Sequence, residues 1–343
     1  MTAHPFRRTR PAARTAALGV LAALALAGCA EDVPTPNPDA AATGPALSAD
    51  QENRVLEAMN TTLAQASESG DAGVLDQRLT GPALAVRTSQ LRVAQLRGNA
   101  DLVTNLQTEY QALIVPASDT WPRTAFAVTE AGEDLQAPRL LALEQASARE
   151  PYKLWGWVQL RPGVTLPSFA APELGSEELA PDDASLLVSP QDVAGQYAEL
   201  ATSGDESPFA PTFESSDEDL FRKFLKENVQ AQTQELQKDG ANGSYSYSVA
   251  LTPDTPVKAV RTADGGGMVM VSLDMVETME APAGVKVAPP EGRSGEALLE
   301  GAAPTNKLVN GYSDMVALYV PPQGSDQTVK LLGWTHVQTS VSQ

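Results

Sequence analysis

Histidine and cysteine are nearly missing from this sequence: its 343 residues hold two His and one Cys. A lone cysteine excludes a disulfide framework within the chain and any zinc site built on cysteine alone. His4 lies in the extreme N-terminal segment, which leaves His336 as the histidine available for acid–base work. Positive charge is scarce too. Against 43 Asp and Glu stand 24 Lys and Arg, for a net charge of −19. Phosphate recognition needs clustered Lys and Arg, so nucleic acid is not an expected partner. The acidity reads as solubility. No Gly-x-Ser-x-Gly and no nucleotide fingerprint occur. "TADGGGMV" at Thr262 to Val269 is not a phosphate loop, because no Gly-Lys-Ser/Thr follows. "ESSDEDLFRKF" at Glu214 to Phe224 is acidic but lacks the glycine and ligand spacing of a calcium loop. It reads as a helix amino terminus, with Ser215 or Ser216 as the cap. No metal and no cofactor is therefore expected.

Long apolar runs are lacking as well. The apolar stretch Ala16 to Ala27 is shorter than the roughly 20 residues a membrane-spanning helix needs. It follows a basic segment containing Arg7, Arg8, Arg10 and Arg14 and ends in small residues. That order is the pattern of a secretory signal peptide, here residues 1–28. Its last residues and the next one, Leu26, Ala27, Gly28 and Cys29, resemble the bacterial lipobox. The resemblance implies cleavage before Cys29, a diacylglycerol group on its thiol, and a fatty acid such as palmitate on the new amine. A thiolate is the nucleophile such chemistry needs. One acyl chain holds weakly and two hold firmly, at about 0.8 kcal/mol per buried methylene. The expected location is extracytoplasmic, anchored to the cell membrane. After Cys29, Pro34, Pro36, Pro38 and Pro45 interrupt any hydrophobic period, so 29–47 reads as a tether. At about 3.1 Å per residue it could hold the body up to roughly 50 Å from the bilayer.

The body carries an internal likeness. "YKLWGWVQL" at Tyr152 to Leu160 can be laid on "VKLLGWTHV" at Val329 to Val337, matching Lys153 with Lys330, Gly156 with Gly333 and Trp157 with Trp334. Earlier in each half, a stretch opening at Ser48 or Ser189 closes in Ser-Gly-Asp, at Ser69 to Asp71 and Ser203 to Asp205. Both serines are expected helix caps. Between the halves, 166–187 is rich in Pro and acid and reads as a linker. The expected organisation is a first domain over 48–165 and a second over 188–343.

Period assigns the elements. Leu56, Met59, Leu63 and Ala66 recur at three and four residues, the mark of an amphipathic helix. Helical zones are expected over about 72–87, over about 89–112 with Gly98 as a break, and from Leu220 to about Lys238. Tyr245, Tyr247, Val249 and Leu251 alternate with small residues, as in a strand with one buried face. Further strands are expected near Thr124, in "PRLLALEQ", in "MVMVSLDMVE" and in "DMVALYV", with "ADGGG" as a hairpin turn. Helices first and antiparallel strands after, twice, give an α+β fold of two tandem domains with curved sheets. This order, and the stretch "SGDAGVLDQRLTGPALAVR", resemble the nuclear-transport-factor-two-like or cystatin-like cone, well over 48–160 and more loosely over 189–340. The whole arrangement resembles uncharacterised lipoproteins of actinobacteria.

The cone resemblance implies a pocket in each half, and Trp157 and Trp334 are candidates to line it. A buried aromatic on a closing strand is equally well read as core. His336 falls two residues after Trp334, on the same face of a strand. In enzymes of the resembled superfamily a His and an Asp in the cone mouth do acid–base work, although the residue aligned with His336 is Gln159. Three functions fit: a binding or interaction module for an envelope protein or an apolar small molecule; an isomerase or hydrolase using His336; and a passive spacer. The scarcity of histidine disfavours the enzyme. A carboxylate beside His336 inside a cavity would favour it.

Overall fold

Ser48 starts the first helix as its sequence context predicts. Its hydroxyl accepts from the Gln51 amide while the Gln51 side chain accepts from the Ser48 amide, a reciprocal capping box. The helix α1 (Ala49–Ser69) ends at Gly70, whose φ of 69° is left-handed and costs glycine nothing. A short 3-10 turn over Ala72–Gln77 follows. Then α2 runs over Gly81–Arg97, with Pro82 in its first turn. The sequence pattern suggested a break near residue 88; the chain instead breaks before Gly81 and continues as one helix to Gly98.

Strands follow: β1 (Tyr110–Ile114), β2 (Pro116–Ala117), β3 (Arg123–Thr129), β4 (Arg139–Gln145) and β5 (Lys153–Leu160), then the short β6 (Ser176–Glu177). The order then recurs. Ser189 caps α3 (Pro190–Ser203), and α4 (Leu220–Leu236) comes next. The cap of α4 is Asp219, which accepts from the Phe221 and Arg222 amides; Ser215 instead bonds Glu218. After α4 come β7 (Ser244–Leu251), β8 (Lys258–Arg261), β9 (Gly267–Glu280), a one-turn helix α5 (Ser294–Leu298), β10 (Lys307–Val320) and β11 (Lys330–Ser342). This computed structural model describes residues 44–131, 137–238 and 242–343.

The protein is a mixed α+β fold in which helices precede a large antiparallel sheet. The strand order is β1-β3-β4-β5-β11-β10-β9-β7, with β8 also paired to β9. The order is a mirror about its middle: two meanders meet where β5 pairs with β11. The contact is narrow, Leu160 opposite Gly333 and Gln159 opposite Trp334. Those are the two segments that look alike in sequence.

Beyond the seam the sheet folds on itself. Val269, Val271 and Leu273 of β9 and Val316 and Leu318 of β10 pack with Val193, Tyr197 and Phe221 of α3 and α4. The alternate residues, Met268, Met270, Met315 and Ala317, turn the other way and join the core built by α1, α2 and β3 to β5. Over 267–273 of β9 and 315–320 of β10 the strands are thus buried on both faces, as their mainly apolar sequence there requires, while the far ends of both strands keep exposed positions.

Candidate functional site

Strands β5 and β11 splay apart from their short pairing, and a cavity of about 540 Å3 opens there. Trp157 and Gln159 of β5 reach it from one side and Trp334 and His336 of β11 from the other; Leu220 and Phe224 of α4 cover it. Leu160 of β5 and Thr335 and Val337 of β11 line it as well, because the strands part beyond their two paired residues and expose both their edges and one face. The three residues singled out in the sequence, Trp157, Trp334 and His336, therefore converge on one cavity shared by both halves. The volume falls in the range of small-molecule sites, and the lining has their character, apolar and aromatic with a few polar groups. Among the described residues neither Asp nor Glu lines it, although the chain is strongly acidic, and Arg139 does.

The two tryptophans differ. Trp157 is 1% exposed and lies over the Arg87 guanidinium, 5.6 Å from carbon to ring centre. Its carbonyl accepts from the Thr335 hydroxyl at 2.7 Å, which ties β5 to β11. Trp334 is half-buried and tilts against Phe221 of α4.

His336 is the most constrained group. Its Nδ1 is 2.7 Å from Oδ1 of Asp314, the residue directly opposite on β10. Asp314 is fully buried, and its second oxygen has no hydrogen-bond partner among the described residues. Burial pushes the Asp314 carboxyl up from its ordinary range, and the bond to His336 works against that shift. The imidazole stacks on Tyr312, with ring centres 4.3 Å apart, and meets Phe224 edge-on. The Tyr312 hydroxyl in turn donates to Glu277 at 2.7 Å. Glu277 is buried on β9 and also accepts from Asn310 and Tyr245. An ordered chain of groups thus runs from the cavity wall inward. Chemically, the bond to Asp314 and the stacking on Tyr312 fix the ring orientation at the cavity wall.

Sequence reasoning missed Asp314 and Glu277. Tyr245 and Tyr247 do lie on the more buried face that the alternation predicts, where the Tyr245 hydroxyl donates to Glu277 and the Tyr247 hydroxyl to the Ala201 carbonyl. Leu26, Ala27, Gly28 and Cys29 lie outside the described residues. Among the described residues no group of three or more His, Cys, Asp or Glu could hold a metal ion, and no helix is long and apolar enough to cross a membrane.

The fold and the cavity define an α+β protein with a small-molecule-sized space at the seam of one sheet. The chain belongs to the family described as a domain of unknown function, DUF8094, whose model matches residues 43–342. It is similar to an uncharacterised lipoprotein of Streptomyces avermitilis, 26% identical over 293 residues, covering 84% of this chain and 83% of that one. It is also similar to an uncharacterised lipoprotein of Streptomyces coelicolor, 27% identical over 342 residues, covering 93% and 91%. No solved structure matches it significantly.

Proposed function

We propose that this is a cell-envelope lipoprotein that holds an apolar ligand in the cavity between β5 and β11. Its body is built from two cone-like halves, 48–165 and 188–343, that share one sheet and are connected through 166–187, and a lipidated Cys29 anchors it outside the cytoplasm. The relatives' names support the anchor, as does the lipobox-like Leu26-Ala27-Gly28-Cys29. The convergence of Trp157 and Trp334 on one apolar cavity supports ligand binding and carries the proposal.

Two measurements test it. Cys29→Ser should move the protein from the membrane to the soluble fraction, and retention would defeat the anchor. The released protein should enhance the fluorescence of N-phenyl-1-naphthylamine, an apolar probe. Gln159→Trp, an exposed position on the cavity wall, should fill the space and abolish that signal. Unchanged enhancement would remove this cavity from consideration.

The Asp314–His336 pair favours a second reading, acid–base chemistry such as an isomerisation or hydrolysis of the bound molecule. It predicts that an envelope extract incubated with the protein yields a product that His336→Gln fails to form while probe binding persists. Identical extracts would exclude it.

A further inference from the structure

A second cavity, of about 500 Å3, lies as a groove between α1, α2 and the segment after α2. Leu63, Leu91 and Leu106 give it apolar walls, and Arg87 is its one charged lining residue among the described residues. Arg87 is 2% exposed. Its Nη1 donates to the Thr104 carbonyl at 2.9 Å, and its Nε is buried without a hydrogen-bond partner. No carboxylate answers it among the described residues. Burial and the like charge of Arg139 bring its pKa down to about 10. Across the groove on α1, Asn60 donates to the Tyr110 hydroxyl while its Oδ1 is buried without a partner.

The second half shows what such an arginine does when an acid is at hand. A groove of about 460 Å3 lies between α3 and α4, and the buried Arg222 lines it. Its Nη1 also donates to a backbone carbonyl, that of Glu214, at 2.9 Å. Its Nε, like that of Arg87, has no hydrogen-bond partner among the described residues, but its Nη2 donates to Asp205 at 3.0 Å. Asp205 ends the Ser203-Gly204-Asp205 turn, the counterpart of Ser69-Gly70-Asp71. In the first half Asp71 is exposed and accepts from the Gly73 amide at 2.7 Å, capping the 3-10 turn instead of reaching an arginine. The chain thus has the same kind of groove twice, once with its own carboxylate and once without.

We infer that the groove between α1 and α2 is a binding site for a small carboxylic acid with an apolar body, its carboxylate taking beside Arg87 the role that Asp205 takes beside Arg222. A charge-assisted hydrogen bond to the guanidinium would supply the anion that Arg87 lacks and Arg222 has; the buried Nε is unpartnered in both arginines, so the carboxylate is what sets them apart. The apolar body would lie along Leu63 and Leu91. A hydroxyl on the ligand would find an acceptor in Asn60.

The test uses the full-length chain and three probes of one length: hexanoate, hexanol and hexylamine. Calorimetric titration and the thermal midpoint should both register hexanoate, while the alcohol and the amine bind about tenfold more weakly or not at all. Arg87→Met should lose hexanoate binding by about tenfold or more. Leu91→Trp fills the groove but keeps Arg87, so it gives an independent loss should the methionine variant not fold. Gln159→Trp, which fills the other cavity, should bind hexanoate as the parent does. Equal binding of the three probes, parental binding by both groove variants, or loss in Gln159→Trp alone would each overturn the assignment.

Discussion

Glu52 lies on the buried face of α1, and among the described residues neither of its carboxylate oxygens has a hydrogen-bond partner. Burial raises its pKa from 4.5 to about 8. The folded protein therefore holds a proton that the unfolded chain releases above about 4.5. Its contribution to stability is complete below that pH, declines as pH rises, and is lost once pH passes about 8. Glu52→Gln removes the titration. The variant should gain on the parent as pH rises from 5 to 8.5, by on the order of 1–3 kcal/mol, measured by urea unfolding at both pH values. Parallel stabilities across the range would contradict this. The residue was within reach of sequence reading: 52, 56, 59, 63 and 66 are spaced by four and three, so Glu52 continues the apolar stripe. Asp314 was not within reach. It meets His336 only through the register of β10 with β11, and that register shifts between Ala317 and Leu318, so counting along the chain does not find it.

Among the elements, β5 and β11 show what their shared Gly-Trp does. The two glycines align in sequence, yet the structure uses them differently. At Gly333 a Cβ would come within 2.4 Å of the Gln159 carbonyl oxygen and 2.9 Å of the Leu160 Cα, both backbone across the seam. At Gly156 it would come within 2.8 Å of the Met315 sulfur, the flexible end of a side chain that can yield. Gly333→Ala should therefore destabilise by about 1–3 kcal/mol, and Gly156→Ala by less. Thermal denaturation of the two variants checks the order, and a larger loss at Gly156 would show that the seam tolerates separation. Helix starts were legible because caps are local: Ser48 and Ser189 bond amides three residues away. The pairing of β5 with β11 was visible in sequence only as a likeness, because two residue pairs join strands lying far apart in the chain.

For the molecule as a whole, the question is whether either half folds alone. The first core takes Val260, Met268, Met270, Met315, Ala317 and Leu332 from the second half. Lys258 of β8, 3% exposed, forms an ion pair with Glu144 of β4 and lies 5.7 Å from the centre of the Trp155 ring. Ser89 of α2 donates to the Gln338 carbonyl on β11. None of this was legible beforehand, since the period of a strand says that a face is buried but not against what. Each fully buried large apolar side chain contributes roughly 1.5–3 kcal/mol. Losing several such partners removes an amount comparable to the whole stability of a domain, about 5–15 kcal/mol. It would also leave Glu144 without its lysine. A fragment of residues 44–165 should therefore show no cooperative thermal transition by itself. Mixed with a fragment of residues 166–343, it should form a stoichiometric complex that melts cooperatively, because strand pairing, ion pair and shared core all form without the covalent link. A cooperative transition of the isolated 44–165 fragment, near that of the intact chain, would show instead that the contacts across the seam add little to what each meander builds for itself.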